Sequence, residues 1–225
     1  MRQICVGIIG TGWCGGIRAD TCAAHALVKS LHLAENRPER LAEVARTTGA
    51  KTATTDYRDL LRIDDIEAVY VSATPETTHY PMARDFLAAG KHVFLEKPIA
   101  LELAEADELV ALARRNKLKF TIGYSQRFNP KFAYVRKSIR DGTIGRPVSA
   151  LVSRHITRSL GKKITGRVKL SPAAMESTHD LDFVLWCLEP ARPVRVYSQT
   201  NYGIMQETTG APIADTQWIT VTMES

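Results

Sequence analysis

No run of eighteen apolar residues occurs in this 225-residue chain, which excludes a membrane-spanning helix. Internal repeats and low-complexity stretches are absent, which argues against a solenoid or a disordered linker protein. Cysteine is scarce: Cys5, Cys14, Cys22 and Cys187 show no CxxC spacing, so neither a zinc site nor a disulfide framework is expected, and no metal site is expected. The N-terminus lacks the charged, apolar and small-residue succession of a signal peptide, and with reduced thiols this predicts a cytoplasmic protein. Acidic residues are sparse only in the second half. Residues 1–120 hold 16 basic and 16 acidic side chains, whereas residues 121–225 hold 14 and 8. Between Arg127 and Lys169 there are 12 Lys or Arg and one acid, Asp141. That stretch reads either as a solvated face or as an attractor of an anionic small-molecule substrate. No recognition motif accompanies it, so nucleic acid is not expected as a partner.

What is present is a strand that runs into glycines. Ile4–Ile9 is apolar and β-branched, as a strand buried on both faces should be. Gly10-x-Gly12-x-x-Gly15 follows, and a helix is read over Ala19 to Leu27. Gly10 permits the turn, Gly12 the approach of a pyrophosphate, and Gly15 close helix–strand packing. Thr11, Trp13 and Cys14 complete that loop. Free N–H groups at the helix start favour phosphate.

Val28–Ala34 is the next strand, and Glu35 ends it twenty residues beyond Gly15. A carboxylate there accepts from a ribose hydroxyl and repels a 2′-phosphate, which favours NAD. Arg37, beyond Asn36, is a counter-signal that leaves NADP open. Pro38 to Thr48 reads as a helix closed by Gly49, and Asp56–Leu61 as a short one. Residues 68–73 form a strand closed by Thr74-Pro75, and His79 opens a helix ending at Gly90. Lys91–Leu95 is a strand running into Glu96-Lys97-Pro98, residues 102–116 a helix, and Phe120–Tyr124 a strand. This alternation predicts a doubly wound parallel sheet, with functional groups at the carboxyl ends of its strands.

After Tyr124 the pattern changes. Helices are expected over Phe132–Ile139 and Ala173–Leu188, strands over Pro147–His155, Val194–Gln199 and Gln217–Met223, and a basic loop over 157–170. The division predicted is 1–124 for a dinucleotide-binding domain and 125–225 for a partial α+β domain with an antiparallel sheet.

The Gly10 loop, Ala73-Thr74-Pro75 with His79, and Ala89-Gly90-Lys91-His92-Val93 followed by Glu96-Lys97-Pro98 together resemble the Gfo/Idh/MocA oxidoreductase family. Gln126-Arg127-Phe128-Asn129-Pro130 and His179-Asp180-Leu181-Asp182 add to the resemblance. It implies NAD(P)-dependent hydride transfer at a secondary alcohol or ketone of a sugar, cyclitol or polyol. By resemblance, Lys97 assists the substrate oxygen and His179 the proton. The residues expected around the cofactor are Gly10 to Gly15, Glu35, Asn36, Arg37, Ala73, Thr74, Pro75, His79, Glu96, Lys97 and Gln126. His79 is equally readable as a residue that only fixes the start of its helix. The family often carries an acid four residues before the histidine, where this chain has Met175, with Glu176 adjacent. Two other readings stay open: an NAD-dependent glycoside hydrolase of the same family, and a non-catalytic cofactor-binding sensor. Family members usually continue past this length, so a truncated member is read, with an open sheet edge that invites homo-oligomer contacts.

Overall fold

The computed structural model describes residues 2–165 and 175–224, and these form two compact units, residues 1–123 and 124–225. In the first unit, β1 (Ile4–Ile9), β2 (Val28–Ala34), β3 (Thr52–Thr54), β4 (Ile66–Val71), β5 (His92–Leu95) and β6 (Phe120–Ile122) form one sheet in the order β3-β2-β1-β4-β5-β6. Every pairing is parallel. The helices α1 (Trp13–Ala23), α2 (Pro38–Thr48), α3 (Arg58–Leu61), α4 (His79–Ala88) and α5 (Leu103–Arg115) connect the strands. Ile8 and Ile9 in β1 and Val71 in β4 are almost completely buried, as apolar runs in a covered parallel sheet require. Two apolar clusters divide the core. One gathers Val69, Val71, Phe86, Leu87, Leu95 and Leu109, and the other Val6, Ile8, Leu31, Leu33, Leu41 and Val44. The parallel doubly wound sheet is as expected.

Local signals behave as physics dictates with a few exceptions. α2 opens on Pro38 at its first turn and stops at Gly49, whose φ is 65°. α1 departs from expectation. It begins at Trp13 rather than Ala19 and ends at Ala23 rather than Leu27. Two glycines in its first turns oppose helix formation, but packing against β1 overrides that propensity. β3 is too short to show an alternation and was not expected from the sequence.

The second unit starts with a single 3₁₀ turn, Ser125–Phe128. α6 (Pro130–Arg140) follows, capped by the Asn129 side chain, which accepts from Lys131 N–H at 3.0 Å. Then come α7 (Arg158–Thr165), α8 (Thr178–Leu188), β7 (Pro193–Asn201), α9 (Ile204–Thr209) and β8 (Thr216–Met223). β7 and β8 pair antiparallel, and α6 and α8 meet through the rings of Phe132 and Phe183, 4.7 Å apart.

Two expectations fail here. Residues 147–155 form no strand; they alternate in sequence, but no described strand pairs with them to supply a ladder. Residues 158–165, expected in a loop, are helical. Thr157 caps this helix by accepting from Leu160 N–H at 3.3 Å, and Gly161 is accommodated within it. The remainder of that expected loop, and the beginning of the helix expected from Ala173, lie outside the described residues. The described part of the latter is interrupted by a turn at Ser177 before α8. Among the described residues no helix is long and apolar enough to cross a membrane.

Candidate functional site

The sheet order reverses between β1 and β4, so their connections leave to opposite faces and open a crevice at the carboxyl ends. The turns after β1, β2, β4 and β5 carry Gly10–Gly15, Glu35–Arg37, Ala73–Pro75 and Glu96–Pro98.

The glycine turn is built for close approach. Gly10 has φ +79°, and a Cβ there would lie 2.7 Å from the Ala73 Cα. A Cβ on Gly15 would lie 1.8 Å from the Gly10 carbonyl oxygen, so no side chain fits. At Gly12 a Cβ would meet no atom within 4 Å, which leaves the outer side of the loop open to a ligand. Trp13, at the start of α1, is 84% exposed beside this opening. Ser72, in the wall formed by the end of β4, is buried, and its Oγ has no hydrogen-bond partner among the described residues.

Glu35 is buried at the end of β2 and holds the loop in place. Its Oε2 accepts from Thr11 N–H at 2.7 Å and from Thr11 Oγ1 at 3.0 Å. Arg37 donates from its backbone N–H, Nε and Nη2 at 3.2, 2.8 and 3.1 Å. Five hydrogen bonds converge on a carboxylate with about four lone-pair sites. Burial pushes the Glu35 carboxyl up, but the hydrogen bonds from Arg37 and Thr11 outweigh it and bring its pKa down to about 2. The group is therefore a fixed anion. Arg37 itself is exposed and Asn36 lies at the surface.

Lys97 is half-buried in the turn after β5. Its backbone N–H donates to Glu96 Oε2 at 3.3 Å. Glu96 pairs with Arg18 of α1, and both side chains are largely buried. Arg18 also donates to the Cys14 carbonyl at 3.2 Å and covers the Phe94 ring at 4.8 Å. This ties the cradle helix to the turn that presents the lysine. A Cβ at Gly123 would sit 3.0 Å from Glu96 Oε2, so a glycine there leaves room for the carboxylate. Burial pushes the Cys14 thiol pKa up and Glu96 adds to it, while Arg18 and Lys97 oppose the shift. That thiol is a poor nucleophile, and its surroundings put Glu96, Arg18 and Lys97 beside the cradle.

Thr74 and Pro75 are exposed at the crevice, whereas the His79 ring is buried beneath them. Its Nδ1 lies 2.7 Å from the Pro98 carbonyl oxygen and its Nε2 3.1 Å from that of Ala73.

The remaining expected residues belong to the second unit. His179 is half-buried in the first turn of α8, with the Tyr124 ring edge-on to it at 6.2 Å between centroids. Tyr124 and Thr178 hydroxyls are 3.2 Å apart. Gln126, with its amide turned to suit its neighbours, donates to the His179 carbonyl at 3.2 Å and accepts from Arg154 at 3.1 Å. Asp182 shares a helix with His179 but gives its carboxylate to Arg127, through hydrogen bonds of 2.9 and 2.6 Å. Met175 is buried at 2% exposure, so the position where an acid was expected is part of the packing. Among the described residues between Arg127 and Lys169, Arg127, Arg136, Lys137 and Arg154 have carboxylate partners. Among the described residues no cluster suited to a metal ion occurs.

Sequence reasoning missed Arg18 and Ser72. Arg18 stands three residues past Gly15 as the only cation in α1, but spacing alone could not show that it reaches Glu96, 78 residues away. Ser72 reads as one more residue of a strand.

A glycine cradle closed to side chains, open at Gly12 and flanked by a fixed anion fits the pyrophosphate and ribose of a dinucleotide. Comparison with known proteins agrees. Residues 4–124 match the family described as "Oxidoreductase family, NAD-binding Rossmann fold" (GFO_IDH_MocA). An inositol 2-dehydrogenase of Rhizobium meliloti is 32% identical over 139 residues, 62% of this chain and 41% of the relative. An inositol 2-dehydrogenase of Rubrobacter xylanophilus is 30% identical over 192 residues, 84% of this chain and 53% of the relative. The chain thus spans about half the length of the curated relatives it matches. In fold it is similar to a scyllo-inositol dehydrogenase of Lactobacillus casei solved with NAD(H) and scyllo-inositol. The TM-score is 0.82 at 24% identity, over 99% of this chain and 67% of that one.

Proposed function

The chain belongs to the Gfo/Idh/MocA oxidoreductase family, and from that premise we propose that it is an NAD-dependent dehydrogenase acting on a secondary alcohol or ketone of a cyclitol, sugar or related polyol. The observation that carries this reading is the Arg18–Glu96 pair, which binds the glycine cradle to the turn of Lys97. A bound nicotinamide supplies a hydride acceptor or donor for the carbinol carbon. The N–H groups at the start of α1 and the opening at Gly12 receive the pyrophosphate. Glu35 receives the adenosine ribose once Arg37, which occupies it, swings toward solvent. The fixed negative charge of Glu35 disfavours a 2′-phosphate, so NAD is preferred over NADP. The Lys97 ammonium hydrogen-bonds the substrate oxygen and stabilises the alkoxide that develops there. His179 takes or returns the hydroxyl proton. Asn36, Thr74, Pro75 and Gln126 complete the set of cofactor contacts in this reading.

The substrate class is supported by the inositol dehydrogenases among the relatives. The excess of basic over acidic side chains in residues 121–225, 14 against 8, favours an anionic variant of such a substrate. The proposal includes self-association through the β7–β8 sheet, where Val194, Val196, Tyr197 and Trp218 are exposed, and a cytoplasmic location in keeping with four free cysteines.

The test is reduction of NAD+ or NADP+ by a panel of inositols, sugars and sugar acids, with wild type and Lys97→Met. Dehydrogenation by wild type, a loss of roughly 10²- to 10⁴-fold in kcat in the variant, and NADH affinity unchanged within about threefold are expected. Equal turnover by both proteins would remove Lys97 from the chemistry. Cofactor binding with no turnover of any polyol would point instead to a sensor.

A further inference from the structure

We propose that His79 is a positioning residue. It locks the Ala73–Pro75 turn and the Lys97–Pro98 turn to each other, and so fixes the lysine against the ring of the bound cofactor. The role for the cofactor rests on the function proposed above; the lock itself does not.

β4 and β5 are parallel neighbours in a register that sets Val71 opposite Leu95. The ladder extends one step further, where Glu96 N–H donates to the Val71 carbonyl at 2.9 Å. Beyond that step the two chains separate into their turns, each two residues past a paired position: Ala73 on one, Lys97 on the other. The His79 ring lies where the ladder has ended. It is 1% exposed and spans the gap, with Nδ1 2.7 Å from the Pro98 oxygen and Nε2 3.1 Å from the Ala73 oxygen. A carbonyl oxygen only accepts, so each contact needs an N–H on the nitrogen that makes it; a neutral ring carries one N–H, and only the doubly protonated ring donates to both carbonyls at once. A buried aromatic ring with a nitrogen toward each turn acts as a side-chain rung. It is rigid where a lysine or glutamine would be floppy.

Both turns matter to the proposed chemistry for different reasons. The Ala73–Pro75 turn borders the crevice where the cofactor is received. Pro98 follows Lys97 directly, and holding its carbonyl holds the lysine backbone. The two nitrogens therefore serve two separable tasks. Nε2 sets the cofactor-facing turn and Nδ1 sets the lysine-facing turn. The ring itself has no route to the cofactor, since both its polar atoms face backbone oxygens and it is buried, so it is not a catalytic residue.

The geometry permits a test that splits the tasks. Asparagine places its amide where Nδ1 stands, and glutamine places its amide where Nε2 stands. His79→Asn therefore keeps the contact to Pro98 and loses that to Ala73; His79→Gln does the reverse; His79→Phe keeps the ring and loses both. Amide hydrogen exchange on the cofactor-free chain reads the lock without any assay of activity. His79→Asn should speed exchange about tenfold in residues 73–78 and leave 96–100 near wild type, and His79→Gln should do the opposite, as the loss of one buried hydrogen bond predicts. His79→Phe should speed both. In the loaded protein, His79→Asn should weaken NADH binding about tenfold with kcat within threefold, and His79→Gln should lower kcat at least tenfold with NADH affinity within threefold.

A uniform drop in thermal stability, with exchange in both turns raised equally by all three variants, would overturn the proposal and leave His79 as ordinary core. So would proportional losses of NADH affinity and kcat in Asn and Gln alike. If wild type bound no NADH while exchange still split between the variants, the lock would stand and the proposed function would fall. If wild type bound and turned over as expected but exchange did not split, the lock alone would fall.

Discussion

The two units of this chain solve the burial problem to very different degrees. The first buries two apolar clusters under its helices, and its strands are covered on both faces. The second, among its described residues, buries four apolar side chains: Met175, Cys187, Met205 and Ile213. Its strand β7 is exposed along almost its whole length. Where the first unit is held by hydrophobic packing, the second relies visibly on arginine. Arg127 bonds Asp182 and Arg154 bonds Asp180, each through two hydrogen bonds, and Arg136 bonds Glu189. Trp186 lies under Arg136 at 4.5 Å and Arg127 at 5.5 Å. The cofactor cradle thus stands on a closely packed base, whereas α8, with His179, is placed by charge pairs and cation–aromatic contacts.

The largest effect is expected from Gly15→Ala. The new methyl group would overlap the Gly10 carbonyl, so β1 and α1 must part. NADH binding should weaken more than a hundredfold, with a loss of about 3 kcal/mol of stability in chemical unfolding. Binding within a few-fold of wild type would show that the cradle is not the close-packed element described.

Arg127→Ala tests the other half. It leaves the largely buried Asp182 carboxylate unpaired and uncovers Trp186. A destabilisation of about 1–3 kcal/mol is expected, read from denaturation followed by Trp fluorescence, with NADH affinity unchanged. Loss of NADH binding as well would erase the distinction between the units.

A smaller effect sharpens the account of Glu35. Its folded-state pKa, about 2, lies below the ordinary 4.5, so the unfolded chain binds more protons between those values. The stabilisation is complete above about pH 4.5 and is lost as pH falls toward 2. Urea midpoints measured from pH 6 down to pH 3 should fall more steeply for wild type than for Glu35→Gln. Parallel curves would mean that Arg37 and Thr11 do not hold the carboxylate in solution.

The same contrast explains what the sequence could reveal. The parallel sheet was legible because β1 and β4 are uninterrupted apolar runs, and the turns because Gly10, Gly15, Pro38 and Gly49 carry backbone demands that few residues meet. The early start of α1 was not, since Gly15 and Gly16 look like helix breakers until the pressure of β1 is seen. In the second unit, Pro147–His155 alternates as a strand should, yet an alternation has no effect without a neighbour to pair with. Helix α7 was hidden behind Gly161 and a run of cations, although Thr157 stood at its cap. Of the candidate site, the turns at the strand ends could be read from their glycines and prolines, and the pairings made across the fold could not. Arg18 reaches Glu96 across 78 residues and no local pattern announces it; His79 stood out in the sequence beside Ala73-Thr74-Pro75, but its contact with the Pro98 carbonyl did not.

Hydride transfer by this chain requires that the first unit hold a pyridine dinucleotide. Titration of the whole chain with NADH, followed by quenching of tryptophan fluorescence with Trp13→Phe as a control for the residue beside the cradle, tests it directly. Saturable binding of one NADH per chain, tighter than that of NADPH, is the predicted result. A chain with a folded circular dichroism spectrum that binds neither nucleotide to saturation would contradict it.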